Sequence, residues 1–86
     1  MNETVVQSYV WHKDRRYFIS TIERDCSAMS VQTRYNETIV WDWPAGQEKR
    51  GALIFMDEDM AGSIANHVRI CNLIYNHGEE VFEVKR

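Results

Sequence analysis

Strand-type sequence fills this chain from Thr4 to Phe55, and a single amphipathic helix follows it, closed by Asn76-His77-Gly78. That order restricts the chain to an α+β fold in which a mostly antiparallel sheet of about five strands carries one C-terminal helix on one face. At 86 residues a second domain would leave neither half enough interior, so a single domain over residues 1–86 is expected. With 44% hydrophobic and 27% charged residues, the composition is that of a chain able to bury a core.

The strand signals run in order. Val5 to His12 alternates and is rich in β-branched and aromatic side chains, Lys13-Asp14-Arg15 supplies a polar tip, and Arg16 to Glu23 resumes the alternation, which together predict a hairpin. Cys26 to Thr33 fits either a short edge strand or a loop. Glu37 to Trp43 reads as a strand stopped by Pro44, Pro44 to Gly51 as a polar turn, and Ala52 to Met56 as the next strand. Short connections favour antiparallel neighbours. Val81 to Lys85 is expected to add a final strand.

For the helix, Ile64, Val68, Cys71 and Tyr75 recur at spacings of four, three and four, a stripe expected to pack on the sheet. Asp57, Glu58 and Asp59 suit a helix N-terminus, Asp59 or Ser63 suits its cap, and Gly78 suits its end. One helix covers one sheet face only. Ile39, Trp41 and Trp43 project from one side of their strand and Thr38, Val40 and Asp42 from the other, while Tyr17 and Ile19 oppose Phe18 and Ile22. Both faces are therefore partly apolar, and Leu73 adds an apolar side chain opposite the helix stripe. This pattern predicts a buried partner surface, most simply a homodimer.

The net charge of −3 argues against non-specific nucleic-acid binding, which needs a basic excess. Met1-Asn2-Glu3-Thr4 carries no basic segment leading into an apolar run, and no stretch approaches a membrane span, so the cytoplasm is the expected compartment and no membrane partner is expected.

Candidate chemistry is sparse. His67 and Cys71, four apart on a helix, have the spacing of two metal ligands, with Cys26 and His12 to complete a tetrahedron, but a buried Cys and a hydrogen-bonded core His account for the same residues. No metal and no cofactor is expected. There is no Gly-rich phosphate loop, nucleophile elbow or metal signature, so no catalytic residue is assigned and an enzyme ranks last.

Arginine among aromatics is the more pointed pattern. Seven of the ten basic residues are arginine, and Arg15, Arg16, Arg24, Arg34 and Arg50 lie on strands or tips near Trp11, Tyr17, Tyr35, Trp41 and Trp43. These residues other than Arg24, with Leu73, are the candidate binding set. They suit protein interface hot spots, and equally a flat anionic ligand held by stacking and guanidinium contacts. The sequence thus predicts a small non-enzymatic regulatory or inhibitory module that binds protein and self-associates. The alternative is a protein that sequesters a nucleotide-like small molecule, and a small hydrolase or metal-binding protein comes after both.

Overall fold

The computed structural model describes residues 5–28, 31–59 and 64–82, with the side chains of 25–28, 31–34 and 59 outside the description. Four strands form one antiparallel sheet in sequence order: β1 (Val5–His12), β2 (Arg15–Ala28), β3 (Val31–Asp42) and β4 (Leu53–Asp59). The helix α1 (Ala65–His77) and a 3₁₀ turn (Gly78–Phe82) follow.

The α+β class and the antiparallel sheet agree with the sequence reading, but among the described residues there are four strands where about five were expected, and 83–85 of the expected last strand lie outside them. Of the ambiguous stretch Cys26 to Thr33, 26–28 extend β2 and 31–33 extend β3, while 29–30 lie outside the described residues; the two strands pair from Tyr17↔Asp42 out to Ala28↔Val31, well beyond the ends of β1 and β4. Val81 and Phe82 also depart from expectation: they close a 3₁₀ turn rather than opening a strand. Phe82 stacks on Phe55 at 4.2 Å, so burial of its ring wins over extension of its backbone.

Register and alternation decide what lies between helix and sheet. Val10, Tyr17 and Asp42 form one cross-strand row, Ser8, Ile19, Val40 and Phe55 the next, and Val6, Thr21, Thr38 and Asp57 a third, all facing α1. Ile70 and Ile74 drop onto Tyr17, Ile19 and Val40 to make the core, with Val10, Ile54, Cys71 and Phe82 around it.

The helix is turned about its axis relative to the expected stripe. Asn66, His67, Ile70 and Ile74 are its buried residues, whereas Ile64, Val68 and Tyr75 are 51%, 52% and 67% exposed. Polar residues take the buried face because the sheet offers them partners. Asn66 donates to Asp57 Oδ2 at 3.1 Å and accepts from the Arg69 guanidinium at 2.6 Å, tying the start of α1 to β4. Asp57, Glu58 and Asp59 end β4 and do not charge the first helical turn, which has no acidic residue. The expected capping groups, Ser63 and the Asp59 side chain, lie outside the described residues.

The other end of α1 matches the sequence reading. Gly78 takes φ 69° and its N–H donates to the Ile74 carbonyl, while His12 Nδ1 donates to Tyr75 O at 3.1 Å. A Cβ at Gly78 would meet the His12 ring at 2.6 Å. Beyond it, Tyr17 donates to Glu79 at 3.1 Å and Arg15 pairs with Asp42 and Glu79 at 3.3 and 3.5 Å, which holds the 3₁₀ turn against the sheet.

Three substitutions test these placements by urea melts. Gly78→Ala combines an unfavourable φ with a clash and is expected to cost more than about 1 kcal/mol. Lys13→Gly is expected to stabilise by roughly 0.5 kcal/mol, because Lys13 holds φ 56° in the two-residue turn between β1 and β2. Ile70→Ala is expected to cost about 2–5 kcal/mol.

Candidate binding surface

Among the described residues no helix packs on the face of the sheet turned away from α1, and only Trp43 and Arg50 of the loop after β3 lie over it. Alternation in β1 sends Val5, Gln7, Tyr9 and Trp11 to this side, and register adds Phe18, Ile39, Trp41, Leu53 and Met56. Val5, Tyr9, Trp11, Leu53 and Met56 are each about half exposed. These apolar side chains gather on one surface instead of being scattered singly.

Phe18 is the hub of the surface and is itself buried. Its ring lies 5.0 Å from Tyr9, 5.0 Å from Trp43 and 5.9 Å from Trp41, so three aromatics stand around it. Tyr9 and Trp43 close the circuit edge-on at 5.8 Å. Trp43 lies just past β3, where its indole N–H donates to Gln47 O at 2.9 Å, and the loop is pinned by Asp42 N–H to Ala52 O at 2.9 Å.

Two arginines lie on the rings. The Arg16 guanidinium sits 4.2 Å from the Tyr9 centroid while its Nε–H donates to Trp43 O at 2.8 Å and an Nη–H to Pro44 O at 3.3 Å. Arg50 sits 4.6 Å from the Trp41 centroid. These contacts bear on the choice of ligand. A phosphate held bidentately needs a guanidinium fork, and the Nε–H and one Nη–H of Arg16, the side-on fork, are already given to two carbonyls. A stacked base needs an open ring face, and Trp41 is flanked by Arg50 and Phe18. The set is preassembled as an amphipathic wall, a form suited to a protein partner.

Of the residues proposed from sequence, Trp11, Arg16, Trp41, Trp43 and Arg50 meet on this face. Tyr35 shares its side of β3 but lies further along the hairpin, paired with Arg24. Arg15 and Tyr17 face α1, where Tyr17 is a core residue and Arg15 its cationic neighbour at 5.6 Å. Leu73 lies on the helix, beside a groove lined by Ala65, Val68, Arg69 and Asn76. The Arg34 side chain lies outside the described residues. The sequence reading missed Tyr9, Phe18, Leu53 and Met56, although the alternation around Trp11 already put Tyr9 on the same side.

Between helix and sheet runs a buried polar line. His67 Nε2 and Ser8 Oγ are 2.8 Å apart, His67 Nδ1 and Thr21 Oγ1 2.8 Å, and Thr21 Oγ1 and Thr38 Oγ1 2.7 Å. Hydroxyl, imidazole and orienting group stand in the order of a nucleophilic dyad, but the ring is only 3% exposed. Three surface clefts among the described residues, on α1, beside the 3₁₀ turn and beside Trp43, are lined by neither Ser8 nor His67. Both ring nitrogens are engaged within the protein, and no metal-holding group of three or more His, Cys, Asp or Glu occurs among the described residues. Burial raises the Cys71 thiol above its ordinary value, a shift opposed by a hydrogen bond with Ser8, so the thiol is a poor nucleophile.

Burial also holds His67 below its ordinary value of 6.5. The unfolded chain therefore takes up this proton first on acidification. The resulting stability is complete above 6.5 and is lost as pH falls from there through the lowered folded value. The difference in melting temperature between wild type and His67→Gln, which does not titrate, is expected to shrink between about pH 7 and 5.5. A pH-independent difference would contradict a buried neutral imidazole.

Among the described residues no helix is long and apolar enough to cross a membrane. Compared with known proteins, the chain matches no family model, no curated protein and no solved structure.

Proposed function

We propose that this protein is a small non-enzymatic binding module that works through protein contacts and self-associates. The observation that carries the reading is the open sheet face, where aromatic and aliphatic side chains surround Phe18 and stand half exposed. Burying the exposed half of such side chains contributes roughly 1 kcal/mol each, about half the value for full burial, so several of them acting together suffice for a specific interface. The arginines over Tyr9 and Trp41 extend the surface with cationic groups whose stems are apolar. Its expected compartment is the cytoplasm, where a free Cys71 thiol stays reduced.

A second reading rests on the cleft lined by Trp43, Glu48, Lys49 and Arg50, which brings two cations and one carboxylate to the same lining as an indole. A flat anionic small molecule bound there would raise the melting temperature. At a hundredfold excess over its Kd it would contribute about 2.7 kcal/mol, enough to shift a domain of this size by roughly 10–20 °C. A panel of nucleoside mono- and triphosphates at millimolar concentration is expected to leave the melting temperature unchanged within about 1 °C. A shift of several degrees with any member would replace the protein-binding reading with this one.

A further inference from the structure

The two edges of the sheet are built differently. β4 pairs with β3 through an irregular register at Val40/Trp41 and ends in Asp57, Glu58 and Asp59, and a bulge and charge are the usual devices that blunt an edge. β1 has neither. Its eight residues, Val-Val-Gln-Ser-Tyr-Val-Trp-His, include no Lys, Arg, Asp, Glu or Pro, and they pair with β2 without a break from Val5↔Ile22 to His12↔Arg15.

Because the turn between β1 and β2 has two residues, His12 and Arg15 are a hydrogen-bonded pair, and so by alternation are those of Val10, Ser8 and Val6. The N–H and C=O groups of Val5, Gln7, Tyr9 and Trp11 therefore point outward along an edge that no other strand joins among the described residues. Beside that edge lies the apolar flank of α1. His67 binds Ser8, and the His12 ring binds the Tyr75 carbonyl, while Asn66 reaches the opposite way to Asp57. At helical spacing Ile64, Val68 and Tyr75 lie on the β1 side of α1, exposed.

We infer that the free edge of β1 pairs with β1 of a second copy, antiparallel about a two-fold axis, to give one sheet continuous across both chains. This rests on the self-associating reading above and assigns its seam. Outward-pointing groups pair only with outward-pointing groups, which keeps both helices on one face of the joined sheet. Centring the axis on Ser8 sets Val5 opposite Trp11, Val6 opposite Val10 and Gln7 opposite Tyr9, apolar against apolar at both ends. Centring it on Tyr9 would instead set Val5 opposite Lys13. The Ile64–Val68–Tyr75 rows of the two helices then face each other across the seam, and the two aromatic faces merge into one surface. A closed two-fold contact of this kind uses the same patch on both chains and leaves no β1 edge exposed.

The test combines native mass spectrometry with amide hydrogen exchange read by NMR over a concentration series. The expected result is a species of twice the 10.2 kDa chain mass, with the amides of Gln7, Tyr9 and Trp11 slowing in exchange as it forms. A dimer in which those amides exchange freely would overturn the seam and leave self-association standing. A chain that stays monomeric at hundreds of micromolar would overturn both. Two variants sharpen the result. Gln7→Pro removes an outward N–H without touching a bond to β2 and is expected to give a folded monomer. Val68→Asp sets two carboxylates toward each other across the seam and is expected to weaken the dimer roughly tenfold or more with monomer folding intact. An unaltered dimer with Val68→Asp would contradict the seam even if Gln7→Pro failed to fold.

Discussion

The hydrogen bonds that His67 makes to Ser8 and Thr21 determine how α1 sits on the sheet. A helix with apolar residues around much of its circumference could present several flanks to a flat apolar surface at similar energy. A buried imidazole removes that freedom, because any rotation leaving it unpaired incurs the desolvation cost of a polar group, about 1–3 kcal/mol. Asn66 bonded to Asp57 and Arg69 reinforces the same choice at the start of the helix. The apolar row Ile64, Val68 and Tyr75 is exposed as a consequence of where the polar partners are.

From this orientation the remaining surfaces follow. α1 covers the rows containing Ile19 and Val40, so the rows containing Phe18 and Trp41 stay open. The helix flank beside β1 is apolar, and the strand under it ends the sheet without charge, proline or bulge. The molecule thus carries two apolar surfaces meeting along one edge, whereas β4 carries carboxylates at its end. The proposed pairing of β1 with a second copy rests on this asymmetry between the two edges.

The fold class, the β1–β2 hairpin, the arrest at Pro44 and the helix end at Gly78 were legible because each has a local cause: alternation, a polar tip, a missing N–H and a left-handed residue. The stretch Cys26 to Thr33 was not, since its small and polar side chains carry no period and its strand conformation comes from the ladder between β2 and β3. Helix orientation was misread for a related reason. Hydrophobic spacing ranks Val68 above His67, yet Ser8, Thr21 and Asp57, all distant in sequence, make the polar side of α1 the buried one. Of the candidate site, Trp11, Arg16, Trp41, Trp43 and Arg50 were found by residue type. That Tyr9 and Phe18 bind them into one cluster required the cross-strand register. Arg15 and Tyr17 show the converse: adjacent to the right residues in sequence, they face the core side by alternation.

Hydroxyl-radical footprinting at high dilution reads directly from the side chains whether α1 buries its His67–Ile70–Ile74 side and leaves both the Tyr75 flank and the Phe18 face of the sheet uncovered in the isolated chain. Rapid modification of Tyr75, Met56 and Trp11 is expected alongside protection of Tyr17, with Tyr75 and Trp11 becoming protected as the concentration is raised. Protection of Tyr75 and Met56 already at high dilution would show instead that the helix packs by its other flank or that the sheet is covered within one chain.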